Sequence, residues 1–472
     1  MMTENASMSP AHRILTPVAA PAHADAPERG GIHAWHAAPK TVADTGIDTS
    51  ILVALAMKAA YLHRNVTLTQ LAETLRLPAA VLNEIAALAV RERMMEVAHR
   101  GANDLDVRFR LTDGGYARAA EFVARCSYVG PAPVTLQAYV EAVQQHSIKH
   151  TSVSKADVTA ALRDLTIPPS LLDEAGVALN AGRALMMYGP AGSGKTYLAQ
   201  RLGSLLPGAV PVPHAIAVAG EIIQVFDPMV HVPFEASEGQ MARRPLDRRW
   251  TICHRPAVLS GGELTLPMLD LRYDPASGFY QAPPHMKANN GIYIVDDLGR
   301  QIVGVTELLN RWIVPLDRGV DMFTLQTGVR FTVPFDVWPV FSTNLEPGQL
   351  CDDAFLRRLG CKLFVGPLST EDYREVYARA GHALGLHTPP AVADYLVESL
   401  HPAGGMPLLA CIPRDLLLLV ASKVHYHGDP PVVTEEALRQ AWHSYFGSYA
   451  DAGAEYPPTV AMGWKGKPLA AT

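Results

Sequence analysis

Residues 189–196 constrain this chain more than any other stretch. They read Gly189-Pro190-Ala191-Gly192-Ser193-Gly194-Lys195-Thr196, between a short apolar strand pattern, Ala184–Tyr188, and a helical pattern over Thr196–Leu206. The spacing fits G-x-x-x-x-G-K-[ST], and strand–loop–helix is the context that gives the motif meaning. Glycines let the backbone curl so that successive N–H groups point inward, and the following helix adds the positive end of its dipole. All eight residues are therefore candidate nucleotide-binding positions. Lys195 is placed to reach the β- and γ-phosphates, and the Thr196 hydroxyl to ligate Mg²⁺.

A second strand pattern, Gly291–Val295, ends in Asp296-Asp297. In open α/β sheets ligands bind at the carboxyl ends of the strands, so both acids point to the phosphate site. Asp296 is the candidate to hold Mg²⁺ through water, and Asp297 the candidate to polarise an attacking water. A third strand pattern, Val337–Phe341, leads to Asn344, a polar amide at the same edge. Then come Arg357-Arg358, before a strand expected at Lys362–Val365. An arginine there could insert into a neighbouring subunit's site, where its charge on a developing phosphoryl transition state is worth orders of magnitude in rate. Arg414, beside Pro413 at a helix start, could face the phosphates across a domain cleft.

Around these motifs the chain divides into six parts. Residues 1–47 form a disordered leader rich in Ala, Pro and His (His12, His23, His33, His36), read as a solvated tail rather than a metal site. Residues 48–127 read as three helices (Ile51–Leu62; Leu68–Leu75, with Thr67 as N-cap; Pro78–Arg93), a hairpin of Met94–Ala98 and Val107–Leu111 turning at Gly101–Asp104, and a last helix, Tyr116–Cys126. That is a winged-helix pattern. Residues 128–153 are a linker opening on the rigid Tyr128–Pro133. Residues 154–367 alternate strand and helix, which implies a parallel sheet, with an insertion at about 207–291 that contains a hairpin across 258–282. Residues 368–449 are helical throughout (370–384, 390–400, 413–426, 434–446), and 450–472 are a loose tail.

Forty Lys and Arg against 46 Asp and Glu give a net charge of −6, so any nucleic-acid surface must be local. The 48–127 unit holds ten basic and nine acidic residues, a poor footprint for DNA. Arg108 and Arg110 are its best phosphate contacts, and its third helix offers Asn83 and Arg91. The insertion also holds Arg243-Arg244; its Arg248, Arg249 and His254 read as a solvated basic surface more than as a reader of an anionic ligand or nucleic acid. Five cysteines with no C-x-x-C pair argue against a disulfide framework or a zinc site and suit a reducing cytoplasm. No apolar run approaches the ~20 residues of a membrane span.

Taken in order, these motifs resemble the AAA+ ATPases over roughly residues 155–447. The fold class implied is α/β: a P-loop AAA+ parallel sheet core with a helical lid domain and an N-terminal winged-helix domain. The resemblance makes Asn344 sensor 1, Arg358 the arginine finger with Arg357 as second choice, and Arg414 sensor 2. The closest flavour is MoxR-like, where a hairpin precedes sensor 1; here Asp321–Leu325 and Val329–Val333 read as that hairpin. Asp296–Gln301 and Gly262–Leu266 are similar to bacterial ATPases of predicted chaperone activity that also carry an N-terminal winged helix. What this implies is a cytoplasmic, Mg²⁺-ATP-dependent ring oligomer, six-membered by family expectation, that remodels an unnamed protein client. A DNA-binding regulator or motor is the alternative. A nucleotide-gated scaffold with little turnover is another, because Asp297 stands where most of the family has Glu.

Overall fold

The computed structural model describes residues 36–63, 65–100, 107–234, 246–350 and 353–447. Most of the leader, the turn at Gly101–Asp104, Arg243-Arg244 and the C-terminal tail lie outside the described residues.

The chain begins with α1 (Thr49–Leu62), β1 (Val66–Thr67), α2 (Leu68–Leu75), α3 (Ala79–Arg91), β2 (Met95–Arg100), β3 (Val107–Leu111) and α4 (Asp113–Arg125). Thr67 caps α2 in a reciprocal box. Its hydroxyl accepts from Gln70 N at 3.1 Å and Gln70 Oε1 accepts from Thr67 N at 2.9 Å, which satisfies two otherwise orphaned donors. β1, β3 and β2 form a small antiparallel sheet in that order, and Leu52, Leu55, Leu71, Ile85 and Phe109 fill the core beneath it.

Next come β4 (Val134–Thr135) and α5 (Leu136–Gln145), in the segment read as a linker. They are built into the body of the protein. β4 pairs in parallel with β7, and Tyr139 is buried with its hydroxyl 2.7 Å from Asn289 Nδ2. After α5, Ser147 Oγ and Ile148 N both donate to the buried carboxylate of Asp336 (2.7 and 3.0 Å), which also accepts from Asn290 Nδ2 at 2.7 Å. α6 (Lys155–Ala161) and α7 (Pro169–Asn180) then lead into β5 (Ala184–Tyr188) and α8 (Lys195–Leu202).

The segment read as an insertion contains β6 (Ala209–Pro213), β7 (Ala215–Val218), β8 (Glu221–Gln224), β9 (Trp250–His254), β10 (Ala257–Ser260), β11 (Arg272–Asp274) and β12 (Phe279–Gln281). β10 belongs to the main sheet, so the hairpin expected across 258–282 is confined to β11 and β12. A second sheet runs β11-β12-β8-β7-β4. Arg249 is buried here: it forks onto Asp247 and donates to the carbonyls of Thr45 and Pro133 (3.2 and 3.1 Å), so it ties segments together and faces no ligand.

α9 (Pro284–Lys287), β13 (Ile292–Val295), α10 (Val305–Arg318), the antiparallel pair β14 (Val320–Thr324) and β15 (Arg330–Pro334), and β16 (Trp338–Thr343) follow. Two short helices, α11 (Pro347–Leu350) and α12 (Asp353–Leu356), precede β17 (Leu359–Phe364). The main sheet is β10-β13-β16-β5-β17, all parallel. β13 and β16 are buried along their whole length, as an apolar run covered on both faces must be.

A helical unit closes the chain: α13 (Thr370–Ala383), α14 (Pro390–Tyr395) continuing through a π-turn into α15 (His401–Gly404), α16 (Cys411–His427) and α17 (Glu435–Phe446). Tyr373, Tyr377, Leu396, Leu416, Leu438 and Trp442 form its separate core. No helix among the described residues is long and apolar enough to cross a membrane.

Candidate nucleotide site

Strand register brings the motifs together. Val295 pairs with Phe341, and Thr343 with Tyr188, so β13, β16 and β5 end side by side. Gly189, Asp296-Asp297 and Asn344 therefore emerge at one carboxyl edge. β16 lies between the two strands that carry the loop and the acids.

The loop needs its glycines. Gly189 has φ +149°, and a Cβ there would stand 2.2 Å from the Val365 carbonyl oxygen; Gly192 has φ +82°, and its Cβ would meet Cys411 Sγ at 2.5 Å. L-residues are disfavoured in the first conformation and the second contact leaves no room. Lys195, in the first turn of α8, is 5% exposed. Its ammonium donates to the carbonyls of Gly189 (3.0 Å) and Pro190 (2.8 Å) and to Asn344 Oδ1 (2.8 Å). Burial lowers its pKa to about 8, against the opposing pull of Asp297 and Asp296. Ser193 Oγ is buried inside the loop without a hydrogen-bond partner among the described residues.

Two side-chain pairings cross the site. Thr196 Oγ1 lies 3.0 and 2.8 Å from the two carboxylate oxygens of Asp296. Asn344 Nδ2 donates to Asp297 Oδ1 at 3.0 Å, so the amide bridges Lys195 and Asp297. Asp297 holds φ +50°, a left-handed conformation that Asp tolerates better than most residues. Gln301 supports the acids from behind: its Nε2 donates to Asp296 O at 2.9 Å while its Oε1 accepts from Gly299 N. Thr343 Oγ1 donates to Leu298 O at 2.7 Å and pins the same turn to β16. Sequence reasoning includes Gln301 only as the end of the Asp296–Gln301 stretch and gives neither it nor Thr343 a role, since each acts through backbone groups that a motif does not display.

The arginines lie elsewhere. Arg358 Nε donates to both oxygens of Asp317, each at 3.0 Å. Arg357, exposed, lines a shallow cavity of about 430 Å³ with Arg183 and Lys362. Both precede β17, on the side of the sheet away from the loop. Arg414 is exposed in the first turn of α16; at the start of that helix Cys411 N donates to Gly192 O at 3.1 Å, so the helical unit touches the phosphate loop directly.

The residues suit a triphosphate and Mg²⁺. Positive-φ glycines shape a concave backbone, and Thr196 with Asp296 supplies the hard oxygen donors that Mg²⁺ takes. Among the described residues, the buried ammonium has only neutral acceptors in direct contact and the buried Ser193 hydroxyl has no partner.

Comparison with known proteins agrees with this core. Residues 172–267 match the family model described as Magnesium chelatase, subunit ChlI, and residues 369–444 match a domain of unknown function, DUF8689. No curated protein matches the chain in sequence. Among solved structures, NtrX from Brucella abortus in complex with ATP is 14% identical, covering 66% of this chain and 64% of its own, with TM-score 0.36. The Thermotoga maritima RuvB Holliday junction branch migration motor is 13% identical, covering 63% and 72%, with TM-score 0.33. The likeness to both structures is too loose to build on. The family match spans the 189–196 loop, and with the loop geometry it supports a nucleotide-binding fold.

Proposed function

We propose that this chain is a Mg²⁺-ATP-dependent AAA+ ATPase that assembles into a ring and remodels a protein client, with ATP held between subunits. The observation that carries the ATPase reading is the hydrogen-bonded set Lys195–Asn344–Asp297 beside Thr196–Asp296, gathered at one sheet edge from three strands.

In this reading Gly189–Thr196 cradle the phosphates, and Lys195 exchanges loop carbonyls for phosphate oxygens. Thr196 and Asp296 hold Mg²⁺, which when bound neutralises charge on the β- and γ-oxygens. Asp297, aimed by Asn344, orients the attacking water. Its side chain is one methylene shorter than Glu, which slows turnover without abolishing it. Arg358 acts on the neighbouring subunit's nucleotide, and Arg414 closes over the chain's own. Arg357 remains the second choice for the trans role. The lid's contact at Gly192 supports a cleft that opens and closes with the nucleotide cycle.

A winged-helix reading of residues 48–127 rests on three helices followed by the β2–β3 hairpin. We favour protein docking over DNA for it. Arg110, one of two wing arginines suited to phosphate, is paired with Glu96 at 2.5 Å. The MoxR-like and chaperone-like assignments, the ring and the cytoplasmic setting stand as expectations of the resemblance.

The test is phosphate release per subunit as protein concentration rises, with Arg358→Ala alongside and a duplex oligonucleotide titrated at two salt concentrations. Turnover that climbs with concentration and collapses in the variant supports a composite site. Tight ATP binding without turnover at any concentration would convert the reading to a nucleotide-gated scaffold. Salt-sensitive DNA affinity that falls in Arg108→Ala/Arg110→Ala would favour the DNA-bound regulator.

A further inference from the structure

We propose that Asp317 is the positioning residue that aims Arg358 at a neighbouring subunit's nucleotide; this rests on the trans-acting reading of Arg358 given above. Three observations support it.

First, the carboxylate grips Nε of Arg358 through both oxygens at 3.0 Å. A guanidinium held at Nε keeps one orientation of its plane, and a charge that must meet a transition state acts best when its orientation is set beforehand. Among the described residues no carboxylate is paired with Arg357, which lines a cavity together with two other cations, Arg183 and Lys362.

Second, Asp317 stands in the last turn of α10, where the helix dipole disfavours a negative charge. A carboxylate there is out of place for the helix and in place for the arginine.

Third, α10 is a rigid mount. Trp312 is fully buried between Tyr293 of β13 and Phe341 of β16, with ring centroids 5.6 and 5.3 Å away. Arg311 forks onto Asp321 at 2.8 and 2.9 Å, and Asp321 also meets His285 Nε2 at 2.7 Å. β13 and β16 are the strands that lead into Asp296-Asp297 and Asn344. The aim of Arg358 is thereby referenced to its own subunit's nucleotide site, and a shift of those strands on hydrolysis carries Asp317 with it.

Both partners are partly exposed (31% and 43%), and ion pairs in that setting contribute little to folding. The role is therefore read in kinetics rather than in melting. The experiment measures kcat and KM for ATP on the full chain, with nucleotide affinity and melting temperature, for wild type, Asp317→Asn, Asp317→Glu, Arg358→Ala and the double variant Asp317→Asn/Arg358→Ala. We expect Asp317→Asn to lower kcat about tenfold, with KM, affinity and melting temperature unchanged. Asp317→Glu should recover part of the loss, and the double variant should be no slower than Arg358→Ala alone. If Arg358→Ala collapses turnover while Asp317→Asn leaves it intact, or if the two losses multiply, the positioning role is overturned and the ATPase reading stands. If Arg358→Ala has no effect, or the wild type never turns over, the trans-acting reading falls and this proposal with it.

Discussion

Replacing Lys195 with Met should remove nucleotide binding without weakening the empty protein, and the two effects come from one structural fact. The ammonium is 5% exposed, and burial lowers its pKa from 10.5 to about 8. The folded pKa lies below the unfolded one, so between about pH 8 and 10.5 the unfolded chain binds more protons than the folded chain. Stability therefore rises with pH through that interval, and below pH 8 the full penalty of a buried charge is present. At ~1.4 kcal/mol per pH unit the penalty is ~3 kcal/mol. Against it stand three hydrogen bonds from Nζ, to Gly189 O, Pro190 O and Asn344 Oδ1, each worth ~1 kcal/mol net. The two nearly cancel, so at pH 7 the nucleotide-free variant should match or slightly exceed wild type in urea unfolding. Between pH 8 and 10.5 wild type should gain on the variant by ~3 kcal/mol and overtake it. Added Mg²⁺-ATP should raise the unfolding midpoint of wild type alone. A variant more than ~2 kcal/mol less stable at pH 7, or a gap that does not change with pH, would refute the argument that this cation is held at a cost.

Gly192→Ala forces a left-handed alanine against Cys411 Sγ. Strain of ~1–2 kcal/mol from the backbone alone should weaken binding of a fluorescent ATP analogue roughly tenfold or more, and Cys411→Ala should restore only part of it because the backbone strain remains. Asp336→Ala strips a buried carboxylate from Ser147, Ile148 N and Asn290, and denaturant unfolding should report a loss of ~3 kcal/mol or more.

The parts of the molecule legible in the sequence are those governed by local chemistry. Ala184–Tyr188 is an apolar run stopped by glycines, and its strand has those bounds. Thr67 with Gln70 displays its cap in the letters themselves. Three other strands are hidden for the opposite reason. β6 reads Ala-Val-Pro-Val-Pro, and prolines argue against a strand unless the chain runs along an edge; here it forms a two-stranded pair with β9 alone. β4 is two residues long behind Pro131 and Pro133, and only a distant partner makes it a strand. β10 alternates exposed and buried positions, which disguises an edge strand of the main sheet as part of a surface insertion. At the candidate site, the types and order of residues display the 189–196 loop, the acid pair and Asn344, which the strands bring to one edge. The Lys195–Asn344–Asp297 bridge depends on register among three strands, and Asp317 on a contact across about 40 residues, which no local pattern encodes.

The placement of β4 also bears on how the chain is made. Its partner in β7 lies about 80 residues downstream, and Ala215, Ile222 and Phe279 complete the core under the first helices. As synthesis proceeds, the N-terminal helices can collapse early on local contacts, yet their docking face stays open to solvent until residues near 280 have left the ribosome. That interval exposes an apolar surface and an unpaired strand edge in a half-made protein. A message shortened to end before β7 would release a product locked in that sticky state, so a cell expressing such a fragment should accumulate it as aggregate rather than as a free-standing module.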